Sequence, residues 1–399
     1  MDILRSFPMS KLLKTLLTII LALALSVAFV GCNEEDGGDD VTVTGEFVYE
    51  LETGEDDDGE EYEFYKITGY TVTSEDSLKM AEGDFSFLTS AQRNIKIPAT
   101  YKDLPVEEIA SMAFSDQVIL QSVDFTGSNI KTIGVGAFSG CTSLEEIKNI
   151  PFIGKSVDAV GEERVLGHLF GAASTSEKNT SVTAKVYYEV AEPDVSFVVP
   201  NSLVKVSTTA TEIPECAFYG LTMIKEVSFP NATEIGKGAF AGCSLMLTVD
   251  LSSIVYLYDG AFENCSALQE INLDENTVLE YVGDNAFLNC IRLGYNFVIN
   301  DKALLTIALP DSVTYLGENA FSGCSTLKYV VVGAGITEIK AGVFADCSEL
   351  AEVIIKNDNA VVRACAFNNV DKSVVKIYKA DGTTEITLAN EAFGTATDK

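Results

Sequence analysis

Nine cysteines and one histidine are the residues whose types could do chemistry, and their spacing decides which chemistry. Cys32 stands alone near the N-terminus. Cys141, Cys243, Cys265, Cys290, Cys324 and Cys347 each follow a phenylalanine by three residues, while Cys216 and Cys365 each precede one by two. In an exported chain such a set suggests disulfides. If those phenylalanines mark stacked repeat units, however, equivalent cysteines lie about 4.8 Å apart and point the same way. A disulfide needs Cβ atoms nearer to about 3.8 Å and turned toward each other. The column therefore reads as buried thiols serving as small hydrophobes.

His168, in VLGHLFG, is the single histidine, which rules out a multi-histidine metal site and a histidine-dependent triad. Flanked by Leu166, Leu169 and Phe170, it reads as structural. GVGAFSG mimics part of a phosphate loop but lacks the lysine that loop requires. GEDDDGEE suggests calcium, yet with Gly59 at the sixth position of an EF-hand loop the first falls on Gly54 and the twelfth on Tyr65, so the ligand pattern fails. Carboxylates are abundant, but no pair is singled out for the two-carboxylate chemistry of a hydrolase. No catalytic residue, metal or cofactor is assigned, and the chain reads as a binding protein and not an enzyme.

The elements that carry these residues recur. Aligned on phenylalanine, the repeat gives Phe114, Phe138, Phe218, Phe240, Phe262, Phe287, Phe321, Phe344, Phe367 and Phe393. Aliphatic residues stand eight and five before it, a small residue one before, a cysteine often three after and a leucine six after. Alternating aliphatics follow at nine and eleven after, as in AFSGCSTLKYVVV. The usual interval is 22 to 26 residues, with longer ones between Phe138 and Phe218 and between Phe287 and Phe321. A period in the twenties predicts a solenoid: one such unit cannot bury its apolar side alone, but stacked units share a continuous core. Each coil is expected to give one strand to a parallel sheet, with the phenylalanine opposite it in the core.

GAFSGCTSLEEI, ENAFSGCSTLKYVVV and their sister phrases resemble the BspA-like leucine-rich repeats of bacterial surface proteins. IPATYKDLPVEEIASMAF resembles that family's lead-in, and the stretch from LGHLFGAASTSEKN to FVVPNSLVKVSTTATEIPECAFYG resembles an irregular insertion common in it. The resemblance runs from about Ile97 to Phe393 and weakens in the last one or two coils, which lose the cysteine and leucine columns. It implies a leucine-rich-repeat solenoid and an adhesive role toward matrix proteins or other cells.

The N-terminus reads as an address. Arg5, Lys11 and Lys14 precede an apolar run from Leu16 to Val30, the layout of a secretory signal. AFVGC resembles a bacterial lipobox that makes Cys32 the lipidated first residue. The acidic NEEDGGDD beyond it resembles surface-export signals of Bacteroidota lipoproteins, or serves as a solvated spacer. The expected organisation is a signal peptide (1–31), an acidic linker (32–43), a β-hairpin capping region (44–96) and a solenoid (97–398) with its insertion near 151–208. The chain is expected to be exported, monomeric, and held on the membrane by its lipid alone.

Composition narrows the partners. Apolar residues form 47% of the 399, ample for a core, while 59 acidic against 27 basic residues give a net charge of −32. Such a surface repels phosphate backbones, which excludes nucleic acid. What remains is the outward strand face, eight and ten residues after each phenylalanine. It passes from acidic and polar, ending in Glu270 and Asn272, to Tyr295, Phe297, Tyr329, Val331 and Glu352. A protein or glycan ligand at this face is the expectation.

Overall fold

The computed structural model describes residues 44–56, 58–73, 90–172, 197–273, 276–294 and 306–394. The signal segment, Cys32 and the acidic linker lie outside the described residues. The chain opens with an antiparallel hairpin, β1 (Thr44–Glu55) and β2 (Glu61–Thr73). Its acidic turn is closed by Asp56, whose Oδ1 accepts from the amides of Asp58 and Glu60 at 3.0 and 2.9 Å. That is turn chemistry, in which a short carboxylate satisfies nearby backbone donors.

Strand β2 then pairs in parallel with Leu104–Ile109, aligning Tyr65 with Val106 and Ile67 with Ile109. Phe47 and Tyr70 place their rings 6.2 and 6.0 Å from that of Phe114. Tyr62 donates to Glu107 Oε2 at 2.7 Å, and Lys131 completes the contact with an ion pair of 2.9 Å. The hairpin thus covers the apolar end that the first coil would otherwise expose.

From there the chain winds as a parallel solenoid with two rows of strands. The first row runs through Asn94–Lys96, Ser122–Asp124, Glu146–Ile150, Lys205–Thr208 and Glu226–Ser228 in one ladder. It continues through Thr248–Val249 and Glu270–Ile271, then through Thr306–Ala308, Tyr329–Val332, Glu352–Ile355 and Lys376–Tyr378. Period-two patterning sets its facing: Val330 and Val332 are buried while Tyr329 and Val331 look outward. The second row is shorter, mostly two residues per coil, and includes Glu212–Ile213, Glu234–Ile235, Tyr256–Leu257, Tyr281–Val282 and Tyr315–Leu316. In each of these pairs the second residue is buried.

Opposite the first row lies the phenylalanine ladder. Phe114, Phe138, Phe218, Phe240, Phe262, Phe287, Phe321, Phe344 and Phe367 are all fully buried. Consecutive rings stack at 5.0 to 5.9 Å wherever neighbours meet directly, and Phe393 continues the column 5.7 Å beyond Phe367. The turn around each ring is fixed on both sides by left-handed backbone. Two residues after the phenylalanine stand Asp116, Gly140, Gly220, Gly242, Asn264, Asn289, Gly323, Asp346 and Asn369, all at positive φ. These are the types that tolerate that region. Two residues before it the same conformation recurs, but there Met112, Cys216 and Cys365 occupy it as well.

The long interval after Phe138 holds a complete extra coil. Phe138 N–H donates to Leu169 O at 2.8 Å, just as Phe114 N–H donates to Ala137 O at 2.7 Å, so Leu169 takes the small-residue slot and Phe170 the next rung. Ile133 N–H donates to Lys155 O, which stands in for the second row. His168 is buried in this coil, its Nε2 3.1 Å from Ile133 O. Burial depresses its pKa, against the opposing pull of that hydrogen bond. The interval between Phe287 and Phe321 holds no extra rung, because these two rings stack directly at 5.1 Å.

Candidate binding surface

The column of six cysteines does no surface chemistry. Each thiol lies 3.1 to 3.3 Å from the carbonyl of the phenylalanine one coil earlier: Cys141 to Phe114, Cys243 to Phe218, Cys265 to Phe240, Cys290 to Phe262, Cys324 to Phe287 and Cys347 to Phe321. A thiol donates only weakly, and here it adds a second bond to a buried carbonyl that already accepts the backbone amide three residues further on. Burial pushes Cys141, Cys265 and Cys347 up to about 12 and the other three well above the usual thiol value, so thiolate is suppressed throughout. All eight described cysteines are free. Among the described residues no three metal-ligating side chains converge, and no helix is long and apolar enough to cross a membrane.

The surface therefore consists of the two rows. On the N-terminal half of the first row, outward charges pair with each other. Lys205 reaches Glu226 at 3.1 Å and Glu146 at 3.9 Å, and Lys148 reaches Glu146 at 3.2 Å. In the middle, between Glu226–Ser228 and Thr248–Val249, the ladder opens into a cleft of about 290 Å³ lined in part by Ser228, Thr248 and Asp250. Glu270 is exposed beside Thr248 on the paired strand. Asn272 is occupied in linking coils: its Nδ2 donates to Asp250 at 2.6 Å and its Oδ1 accepts from Leu251 N–H at 2.7 Å.

The C-terminal half changes character. Register places Ala308 beside Val331, Val331 beside Ile354 and Ile354 beside Tyr378, an outward column of four half-buried apolar residues. The next outward column runs Tyr329, Glu352 and Lys376, with Thr306 in register beside Tyr329. Tyr329, Val331 and Glu352 thus share one face. Tyr295 and Phe297 lie outside the described residues. The next first-row strand after Phe287 is Thr306–Ala308, further along the chain than a regular spacing would place it.

The second row carries an aromatic column that reasoning from the first row alone overlooks. Tyr256, Tyr281 and Tyr315 occupy the same outward position in three consecutive coils. Tyr281 and Tyr315 stack face to face at 4.5 Å, and Tyr258 leans on Tyr281 at 5.9 Å. Lys340 closes one end, its Nζ 3.8 Å from the centroid of Tyr315. Burial works against the Lys340 ammonium, yet Tyr315, Asp284 and Glu338 hold its pKa above the ordinary lysine value. Phenol hydroxyls donate to carboxylates at the rim: Tyr256 to Glu280 at 3.1 Å, Tyr258 to Glu234 at 3.4 Å and Tyr315 to Asp284 at 3.4 Å. Burial first, then the neighbouring Tyr315, push the Tyr281 phenol up to about 12. The signal for this column was present as tyrosine six residues before Phe262, Phe287 and Phe321.

This architecture agrees with comparison to known proteins. No match was found among curated proteins. Solved structures similar to this chain include a leucine-rich repeat protein from Bacteroides ovatus, 19% identical, covering 87% of this chain and 79% of that one at a TM-score of 0.38. A leucine rich cell surface protein from Faecalibacterium prausnitzii is also 19% identical, covering 86% and 77% at a TM-score of 0.35. The T. pallidum leucine rich repeat protein is 19% identical as well, covering 75% and 87% at 0.28. Likenesses this loose carry nothing further. The family model described as a BspA type leucine rich repeat region is decisive, matching in six copies over residues 60–161, 200–304 and 293–395. With well over half of its length matched, the chain belongs to the BspA-type leucine-rich repeat family.

Proposed function

We propose that this protein is a lipid-anchored, surface-displayed member of its family that binds a macromolecule, in the manner of an adhesin, through the C-terminal half of its first-row face. The observation that supports this reading is the in-register column Ala308, Val331, Ile354 and Tyr378, with Tyr329 alongside. Apolar side chains held outward on a rigid ladder lose little entropy on binding and offer a contact area that solvent gains nothing by covering. The lipobox-like ending at Cys32 supports anchoring. Two or more acyl chains, at about 0.8 kcal/mol per buried methylene, hold a protein stably on a bilayer.

A protein partner fits the apolar column. A glycan fits instead the hydroxyl- and carboxylate-lined cleft beside Ser228, Thr248 and Asp250. The two separate experimentally. The full chain, carrying Val331→Ser with Ile354→Ser, should lose adhesion to matrix-protein-coated surfaces while its thermal unfolding stays close to the parent's. Retained adhesion by that variant, or a response confined to polysaccharide arrays and abolished by Asp250→Ala, would exclude the protein-binding reading. Cys32→Ala should move the chain out of the membrane fraction, and protease treatment of intact cells should remove the anchored form. Protection from protease would place the protein facing inward.

A further inference from the structure

The second row pairs acidic residues toward its two ends, Glu212 with Arg164 and Glu338 with Arg363, and leaves its middle less neutralised. Glu234, Asp259, Glu280 and Asp284 border the tyrosine column, and among the described residues none of them forms an ion pair with a lysine or arginine. Lys340 acts on Asp284 at one end of this group, whereas in the first row Lys205 bridges two glutamates directly. Two of the four use their backbone-facing oxygens to join coils: Asp259 Oδ1 accepts from Asp284 N–H at 3.0 Å, and Asp284 Oδ1 from Glu318 N–H at 2.8 Å. These carboxylates are therefore held in place, with acceptor capacity left toward solvent.

A second, independent feature names the class of ligand. The aromatic column already accepts one cation of the chain's own: Lys340 lies on the face of Tyr315. Along the rest of the column, from Tyr256 to Tyr281, no cation–π contact occurs among the described residues. Tyrosine rings ringed by carboxylates attract ammonium and guanidinium groups through both the ring quadrupole and Coulomb's law.

We propose that this column docks an extended, Lys/Arg-rich segment of a partner protein, laid across the coils between Glu234 and Lys340. From the coil of Glu234 to that of Lys340 there are four coil steps. At about 4.8 Å each they span roughly 19 Å, the length of about six extended residues. The segment's cations meet Glu234, Glu280, Asp259 and Asp284, and its aliphatic stems lie on the phenol edges. This surface is separate from the first-row face, so the two readings stand or fall independently.

The test uses the detergent-solubilised full chain and a capped, fluorescently labelled hexa-arginine peptide, read by anisotropy at low salt. Glu234→Gln with Glu280→Gln, nearly isosteric changes at a half-buried and an exposed position, should weaken binding about tenfold, as expected for two charge contacts reinforced by aromatic ones. Glu46→Gln with Glu63→Gln removes the same charge from the exposed hairpin and should leave affinity unchanged. A tri-arginine peptide should bind far more weakly than the hexamer. Equal weakening by both pairs would reduce the interaction to net charge and overturn the proposal, as would unchanged affinity in the column variant. Spermine displacing the peptide as well as unlabelled hexa-arginine does would assign the column to free polyamines and also overturn it. Val331→Ser with Ile354→Ser, which tests the first-row face, should not alter peptide binding.

Discussion

Asn276 offers the sharpest test of how the coils are held together. Only 1% exposed, it makes four hydrogen bonds of 2.7 Å: its Nδ2 donates to Leu251 O and Ile254 O, and its Oδ1 accepts from the amides of Val278 and Leu279. In Asn276→Leu, Leu251 O keeps the amide of Ile254 at 3.1 Å, and the exposed Val278 can turn to water. Ile254 O and Leu279 N–H are left buried and unpaired. At about 1 to 3 kcal/mol for each orphaned group, less the apolar burial a leucine recovers, the net loss is about 2 to 4 kcal/mol. Asn276→Asp keeps the shape and both acceptor bonds but turns both donors into acceptors facing carbonyls. Burial and that repulsion raise the new carboxyl's folded pKa above its unfolded value of about 3.9. Its deficit is accordingly least below that value and grows as pH rises through the folded pKa. Urea unfolding followed by far-ultraviolet circular dichroism, at about pH 4 to 8, measures both variants. A near-neutral Asn276→Asp at pH 7 would refute the reasoning, since it would mean that shape alone matters at this site.

Four further outcomes follow from the same geometry. Phe321→Ala should cost about 3 to 5 kcal/mol through the cavity left between Phe287 and Phe344, and an unchanged unfolding midpoint would remove that ring from the core. A thiol reagent at mildly alkaline pH should modify Cys365 in the folded chain and reach the six buried column thiols only with denaturant; rapid modification of Cys265 would contradict its burial. Cys365→Gly should stabilise the protein by about 0.5 to 1 kcal/mol, because it relieves a β-carbon held at φ 61°, and a lowered midpoint in thermal unfolding would count against strain there. His168 has a depressed folded pKa, so its contribution is intact above the unfolded value of about 6.5 and is lost as pH falls below it. His168→Gln should flatten the stability profile in that window, and an unaltered profile would show that the histidine is not titrating against burial.

The phenylalanine ladder was legible because ten copies of one residue at a nearly fixed interval leave few alternatives. Phe170 escaped because its coil keeps the geometry while changing the signature: Leu169 replaces the usual small residue, and no cysteine follows three positions later. The left-handed positions two after nine of the phenylalanines could be read in principle, since only glycine, asparagine and aspartate appear there. Those two before it could not, because Met112, Cys216 and Cys365 carry no mark of the conformation they are forced into. On the first row, Tyr329, Val331 and Glu352 follow from period-two counting. The position of Thr306–Ala308 does not, because an interval of unusual length says nothing about where within it the strand resumes. The tyrosine column went unweighed for a simpler reason. A two-residue strand gives too short an alternation to announce an outward face, and only stacking the coils reveals that Tyr256, Tyr281 and Tyr315 are neighbours.

The placement of the long intervals has a practical consequence. Both fall after a phenylalanine turn and before the next first-row strand, between 172 and 197 and between 294 and 306, while the ladders on either side keep parallel register. That seam can absorb extra chain at little thermodynamic cost, since closure entropy grows only slowly with length. A foreign epitope or tag spliced there should be carried by the solenoid as cargo.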